Sequence, residues 1–162
     1  MTSITATMAA PLSRSDRDWE LLAGRVPVLT ATMRRYLAQQ AVSLSPATIE
    51  ATDRALRIFG LWISGHDPEV VGAADIARAH VEAFKLKLTT DVHQKTGEPL
   101  AVNTIRGRLQ LLKVFFDRIV EWDLDDAPHR NPVIHGDVPP QPAPLPKFLD
   151  DGAMAKFMHH AH

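Results

Sequence analysis

The chain has no cysteine, only eight glycines and a single tyrosine, and each shortage excludes some chemistry. Without cysteine there can be no disulfide, thiol catalysis or Cys-ligated zinc, and the chain suits a reducing compartment. The nucleotide-binding patterns GxxxxGK and GxGxxG and the hydrolase pattern GxSxG are all absent. No run approaches the ~20 apolar residues of a membrane span, and the N-terminus lacks a secretory pattern. We therefore expect a soluble cytoplasmic protein with no membrane partner and no cofactor.

Size and composition indicate one ordinary globular domain with appendages. The chain has 162 residues, of which 45% are hydrophobic and 23% charged. The net charge of -1 hides an uneven distribution, because residues 31–118 hold 12 Lys and Arg against 9 Asp and Glu, whereas residues 119–162 hold 3 against 7. A mildly basic middle permits a nucleic-acid partner but does not by itself predict one.

Proline divides the chain into parts. Seven of the 12 prolines lie within residues 128–146, and such a run favours extended polyproline II over a packed element. We interpret residues 1–15 as a flexible tail, 16–134 as a helical domain, 135–146 as a proline-rich linker, and 147–162 as one short helix that begins a further, truncated domain.

Apolar residues recur at helical spacing before the linker, which predicts an all-α fold, a compact bundle of four to five helices. The expected helices cover residues 28–42, 46–65, 76–92 and 102–122, with a shorter one over 18–23. Ser45 is expected to cap the second of these, with Pro46 in its first turn. The expected buried positions are Leu29, Met33, Tyr36, Leu37, Ile49, Thr52, Ala55, Leu56, Phe59, Trp62, Ile63, Ile76, Val81, Phe84, Leu88, Ile105, Leu109, Leu112, Phe116 and Ile119.

The polar side of the helix over residues 102–122 is the most suggestive local feature. Asn103, Arg106, Gln110 and Lys113 project together, opposite the apolar stripe. Arg and Lys suit phosphates, and Asn and Gln suit adenine edges. The same pattern also fits a solvated helix face that binds nothing, and the spacing alone leaves both interpretations open.

Other charged residues have simpler explanations. Arg54 and Arg57 follow Glu50 and Asp53 by four residues, which predicts two surface ion pairs within one helix. Lys95, in the loop HQKTGEP, is either a phosphate contact or a solvated turn lysine.

No metal site is expected. Three of the eight histidines lie in the C-terminal HHAH, which lacks a further ligand, and none follows HExxH.

The order of the segments resembles the N-terminal half of tyrosine recombinases, the phage-integrase family. The segments are SPATIEATDRALRIFGLWI, ADIARAHVEAFKLKL, VNTIRGRLQLLKVFFDRIVEWDL, NPV, a proline linker and PKFLDDGAMAKFM. They are similar to the helical, SAM-like core-binding domain of that family and to the start of its catalytic domain. The resemblance covers about residues 28–162.

The resemblance implies a DNA-binding domain that clamps one side of a duplex during DNA integration and recombination. The residues it places on DNA are Thr48, Asn103, Thr104, Arg106, Gln110 and Lys113, to which the loop adds Lys95. The family's tyrosine nucleophile and its helpers belong after the linker, so we expect no catalytic residue and no enzymatic activity in this chain. Homo-oligomers are expected only on DNA and in the full-length context. The alternatives are a stand-alone helical adaptor for a protein partner, or an inactive recombinase remnant.

Overall fold

The computed structural model describes residues 11–140. Within that range five α-helices form a compact bundle, so the predicted all-α fold is confirmed. The described part contains no β-strand, only an isolated β-bridge between Val92 and Pro99. None of its helices combines the length and apolarity needed to cross a membrane. The elements are α1 (Arg14–Arg25), α2 (Pro27–Gln40), α3 (Pro46–His66), a 3₁₀ turn (Ala73–Asp75), α4 (Arg78–Thr90), α5 (Val102–Glu121) and a second 3₁₀ turn (His135–Asp137).

Serine caps explain where α1 and α3 begin. Ser13 Oγ accepts a hydrogen bond from the N–H three residues later at 3.0 Å, and Ser45 Oγ does the same at 3.2 Å. Pro46 lies in the first turn of α3, where its missing N–H removes no helical hydrogen bond. The start of α3 agrees with the prediction, whereas α1 begins directly after Ser13, so the predicted tail of residues 1–15 is two residues too long.

Aromatic rings from four helices meet at the centre of the bundle. Phe59 of α3 has its ring centroid 5.0 Å from that of Phe84 of α4 and 6.4 Å from that of Phe116 of α5, both edge to face. Tyr36 of α2 meets Phe115 of α5 at 5.1 Å. Edge-to-face pairs add to the stabilisation from apolar burial, so this cluster fixes how α2, α3, α4 and α5 pack.

The apolar stripes predicted from periodicity form the observed core. Of the predicted positions, only Leu37, Ile49, Trp62 and Ile105 are partly rather than fully buried. The buried ones are Leu29, Met33, Tyr36, Thr52, Ala55, Leu56, Phe59, Ile63, Ile76, Val81, Phe84, Leu88, Leu109, Leu112, Phe116 and Ile119.

Arg57 lies in a buried ion network between two helices. Its guanidinium contacts Asp18 of α1 at 2.7 Å and Asp53 of its own helix at 2.5 Å. Asp53 also accepts hydrogen bonds from Ser15 Oγ at 3.2 Å and Trp19 Nε1 at 3.1 Å. The Asp53–Arg57 pair was predicted, but its placement on the surface is wrong, because α1 packs over this turn of α3 and encloses the pair.

Replacing Arg57 should destabilise the bundle. In Arg57→Ala the partly buried carboxylates of Asp18 and Asp53 lose their cation, and we expect the free energy of unfolding to fall by about 1.5–3 kcal/mol. Arg54→Ala is the matched control, because Arg54 is exposed on the same helix and has no ion-pair partner among residues 11–140. Its free energy of unfolding should change by less than about 0.5 kcal/mol. Equal shifts in the urea midpoints of the two variants would contradict this assignment.

Asp126 fastens the chain after α5 to α2 and to the first 3₁₀ turn. Its carboxylate accepts hydrogen bonds from Thr32 Oγ1 at 2.7 Å and from the N–H groups of Ala73 at 2.7 Å and Ala74 at 3.2 Å. Gly72 lies directly against this carboxylate, since a Cβ there would overlap Asp126 Oδ1. The position therefore requires glycine for space.

A methyl group at residue 72 should loosen this junction. We expect Gly72→Ala to lower the free energy of unfolding by about 1–3 kcal/mol, because Asp126 must move and lose donors. Gly65→Ala is the control: Gly65 lies in the last turn of α3, and the space that a Cβ would occupy there is open. Its effect should be neutral or stabilising by up to about 1 kcal/mol. Thermal unfolding of both variants measures the difference, and an unchanged Gly72→Ala midpoint would refute the packing argument.

Residues 131–138 lie across α4 and α5, and we call them the C-terminal strap. Asn131 Nδ2 donates to the Lys113 carbonyl of α5 at 2.9 Å, and the Val133 and Asp137 side chains are buried. Buried contacts therefore continue past residue 134, the predicted domain boundary, to the end of the strap. Residues 141–162, which include half of the predicted linker and all of the predicted final helix, lie outside the described part of the chain.

Candidate nucleic-acid interface

The polar side of α5 is open mainly at the two ends of the helix. Residues 101–104 are exposed, as are Arg118 and Glu121 in the last turn, whereas every residue from 105 to 117 is at least partly buried. The reason is tertiary: α3, α4 and the C-terminal strap all contact this helix. The sequence correctly placed these polar residues together, but the open face expected from the helical projection is shorter than predicted.

Lys113 is engaged within the protein. Its ammonium lies 3.2 Å from Asp117, and its side chain is 25% exposed. Asn131 of the strap donates to the Asp117 carboxylate at 2.7 Å as well as to the Lys113 carbonyl. In this arrangement Lys113 helps to hold the strap and is less available to a ligand than the sequence suggested. Gln110, one turn earlier on the same side, is partly buried.

Arg106 has an unsatisfied donor. Its Nε is fully buried and finds no hydrogen-bond partner among residues 11–140. A buried N–H without an acceptor costs about 1–3 kcal/mol, so this guanidinium is held in a position that is unfavourable for its Nε.

Asn103, Thr104 and Lys95 are exposed, as a role in binding requires. Lys95 lies in a tight turn in which the His93 N–H donates to the Glu98 carbonyl at 2.7 Å. Gly97 adopts φ 72°, a left-handed conformation that glycine adopts without strain and that closes the turn. The turn therefore presents Lys95 to solvent beside the start of α5.

Thr48, the remaining predicted contact, lies in the first turn of α3. It is partly buried, and its hydroxyl is 3.0 Å from Ser45 Oγ. Its hydroxyl thus belongs to the helix cap.

Arg54 and Arg108 are two cations without an ion-pair partner that sequence reasoning missed. Burial lowers the pKa of the Arg108 guanidinium, the charge of Asp91 raises that pKa, and the smaller effect of Arg54 lowers it. Asp91 is itself ion-paired with Lys87. Neither arginine has a carboxylate within ion-pair distance in the described structure, so the predicted Glu50–Arg54 pair is wrong. The spacing of charged residues along one helix does not predict which residues of another helix lie near them.

Hydrogen bonds bring this pair and the turn at Lys95 into one neighbourhood. Arg14 donates to Gln94 Oε1 at 2.7 Å, which ties the start of α1 to the turn. Ser15, the next residue of α1, donates to Asp53, which precedes Arg54 on α3. We call Arg54, Lys95 and Arg108 the basic edge. Glu50 and Glu98 lie on the same elements, both exposed.

Tyr36, the one tyrosine of the chain, is 1% exposed, and burial raises the pKa of its hydroxyl, which accepts a hydrogen bond from Gln40. Its predicted core position is confirmed. No group of three or more His, Asp or Glu within residues 11–140 is placed to hold a metal ion.

Comparison with known protein families, with curated proteins and with solved structures finds no match to this chain. The geometry of the surface therefore carries the functional argument.

Asp137 holds the end of the strap against α4. Its side chain is 1% exposed and is bound by both Arg78 and Lys85, with the Lys85 ammonium at 2.7 Å. The Ile134 N–H also donates to this carboxylate at 2.8 Å. The Arg78 guanidinium is the main cause of a pKa of Asp137 that is far below the usual range, and Lys85 and the Ile134 N–H act in the same direction.

This depressed pKa predicts a defined pH dependence. A carboxyl whose pKa is lower in the folded than in the unfolded state stabilises the fold above the unfolded pKa, and that stabilisation is lost as the pH falls towards the folded pKa. The difference in free energy of unfolding between the wild type and Asp137→Ala should thus be constant from pH 7 to about pH 5 and shrink below about pH 4. Urea titrations across this range measure it. A difference that shrinks between pH 7 and pH 5 would contradict the ion pairing described.

Proposed function

We propose that this chain is the DNA-binding domain of a site-specific tyrosine recombinase or integrase, which holds one side of a duplex and carries no catalytic residues. The order of its segments along the chain resembles that of the family, which motivates the proposal. The cations of the basic edge, which have no ion-pair partner in the described structure, support it. The partner is double-stranded DNA at a recombination site. No cofactor takes part, and association into oligomers belongs to the full-length protein on DNA.

The single observation that carries the proposal is that the three cations of the basic edge, Arg54, Lys95 and Arg108, have no ion-pair partner among residues 11–140. A cation without a carboxylate partner can bind a phosphate without first breaking an ion pair. Arginine suits this role, because its planar guanidinium can bind two phosphate oxygens. The nearby acids Asp53 and Asp91 do not compete for these arginines, since each is paired with a different cation.

The first turn of α5 adds groups suited to base contacts. Asn103 and Thr104 are exposed, and neither side chain makes a hydrogen bond in the described structure. A free carboxamide suits the adenine edge in the major groove, and a threonine hydroxyl suits several base edges. In this arrangement the basic edge binds the phosphate backbone of the DNA and so fixes the position of the duplex. The first turn of α5 then faces the bases.

A protein-binding adaptor remains the alternative, but its expected surface is not apparent. The most exposed large apolar side chains are Val42, at 85%, and Leu86, at 70%, and they lie on different elements. Single exposed apolar residues are normal on monomeric proteins.

A salt titration with duplex DNA tests the proposal. Contacts from Arg54, Lys95, Arg106 and Arg108 to about four phosphates predict that log K falls against log salt with a slope near -3.6. Fluorescence anisotropy on a labelled duplex measures it. A slope near zero would sink the proposal and favour the adaptor.

Charge reversal locates the surface. Arg54→Glu combined with Lys95→Glu should weaken duplex binding at low salt by about tenfold or more, and should make the slope shallower by about 1.8. Arg25→Glu is the control, because Arg25 is exposed and contacts Ser64, ten residues beyond Arg54 and so roughly 15 Å further along α3. Equal weakening by the control would mean that only total charge matters.

A further inference from the structure

We propose that the C-terminal strap is an autoinhibitory cover, whose release extends the DNA-binding surface along α5 and onto α4. The inference rests on the proposed function and concerns the regulation of the same side of the molecule. The docked strap keeps two cations of α4 paired with Asp137, and it binds the Lys113 carbonyl and Asp117 on α5. In the released state Arg78 and Lys85 would face an anionic partner, and Asp117 would keep only its pair with Lys113.

The strap covers the continuation of the polar side of α5. Lys113 follows Arg106 by seven residues, about two helical turns, so the two side chains lie on the same side of the helix. Arg106 lies next to the exposed first turn, whereas Lys113 lies under Asn131. Asn131 holds this end of the strap through two hydrogen bonds, to the Lys113 carbonyl and to Asp117. The polar surface therefore stops where the strap begins.

The other end of the strap forms ion pairs with two cations of α4. Asp137 is almost fully buried between Arg78 and Lys85, although those two side chains are 39% and 36% exposed. Both cations thus reach the surface while the carboxylate of the strap offsets one of their two charges, and Arg78 also pairs with Glu82 of α4 at 3.3 Å. Arg78 also donates to the Pro132 carbonyl at 3.2 Å, so the strap occupies this guanidinium at two points.

One carboxylate makes most of the polar contacts at this end of the strap. Asp137 accepts hydrogen bonds from Arg78, Lys85 and the Ile134 N–H, whereas at the opposite end Asn131 donates one hydrogen bond to the Asp117 carboxylate and one to the Lys113 carbonyl. Hydrogen bonds to a charged group are worth roughly twice as much as neutral ones. An asparagine at residue 137 would remove the charge and turn an N–H₂ group towards donors, so it should release this end of the strap without removing volume.

The experiment compares full-length Asp137→Asn with Asp125→Asn. Both substitutions remove one negative charge, but Asp125 is exposed and has no ion-pair partner among residues 11–140. Three readouts are taken: anisotropy on a labelled duplex across a salt series, the salt concentration that elutes each protein from heparin, and hydrogen exchange at the Ile134 amide.

Release of the strap should raise affinity for polyanions. In Asp137→Asn we expect faster exchange of the Ile134 amide, later elution from heparin and about tenfold tighter duplex binding at low salt, with a slope steeper by about 0.9 for each newly contacted phosphate. Asp125→Asn should change affinity by less than about twofold. Equal gains in the two variants, an unchanged Ile134 amide, or weaker binding by Asp137→Asn would each overturn the inference.

Two cases need a further comparison: a variant that does not fold, and a wild type that does not bind DNA. If Asp137→Asn does not fold, Asn131→Ala replaces it, since this removes the two hydrogen bonds from Asn131 to α5 and the one that Asn131 accepts from the Val133 N–H, and the same gain over Asp125→Asn is required. If the wild type shows no salt-dependent duplex binding, the proposed function fails, and heparin elution still decides the inference. Later elution of Asp137→Asn than of Asp125→Asn supports the inference that the strap masks cations of α4. Identical elution of the two variants overturns that inference.

Discussion

The enclosure of α5 is the constraint on which the rest of the structure depends. Its fully buried side chains, Leu109, Leu112, Phe115, Phe116 and Ile119, lie on one arc, and partly buried residues occupy most of the remaining surface between residues 105 and 117. Helices α3 and α4 and the C-terminal strap all pack against it. Because this helix is surrounded, its polar groups mostly contact the protein: Asp117 pairs with Lys113 and receives Asn131. The first turn of α5 is the exposed end with free polar side chains, whereas the exposed Arg118 and Glu121 of the last turn pair with each other.

Three carboxylates join elements that are distant in the chain. Asp53 connects α1 to α3, Asp126 connects the chain after α5 to α2 and the first 3₁₀ turn, and Asp137 connects the strap to α4. Each accepts several hydrogen bonds, which keeps a charge stable in a partly or fully buried position. By contrast, Arg54 and Arg108 carry no carboxylate partner in the described structure. The total charge of -1 is therefore a poor guide to the surface that a partner would meet.

The proposed role in DNA binding has two kinds of support, and the two concern different residues. The resemblance to the recombinase family concerns the order of the helices and their starting residues, whereas the basic edge concerns where unpaired cations lie. The resemblance places Asn103 and Thr104 on DNA, both exposed at the start of α5, and the turn that carries Lys95 of the basic edge directly precedes that start. The two kinds of support disagree at Lys113, which the resemblance places on DNA and the strap partly covers. The autoinhibitory role inferred for the strap would reconcile that disagreement.

The sequence alone determined the helices, the start of α3 and nearly all of the core, because helical periodicity and a serine cap are properties of a few neighbouring residues. It also placed Tyr36 in the core and Asn103 and Thr104 at a helix start. Only the tertiary structure decided that Arg57 is buried, that Arg54 lies beside Arg108, and that the chain beyond residue 134 folds back onto α4 and α5. These features depend on which turn of one helix packs over which turn of another. Residues far apart in the chain make those contacts, and no local pattern records them.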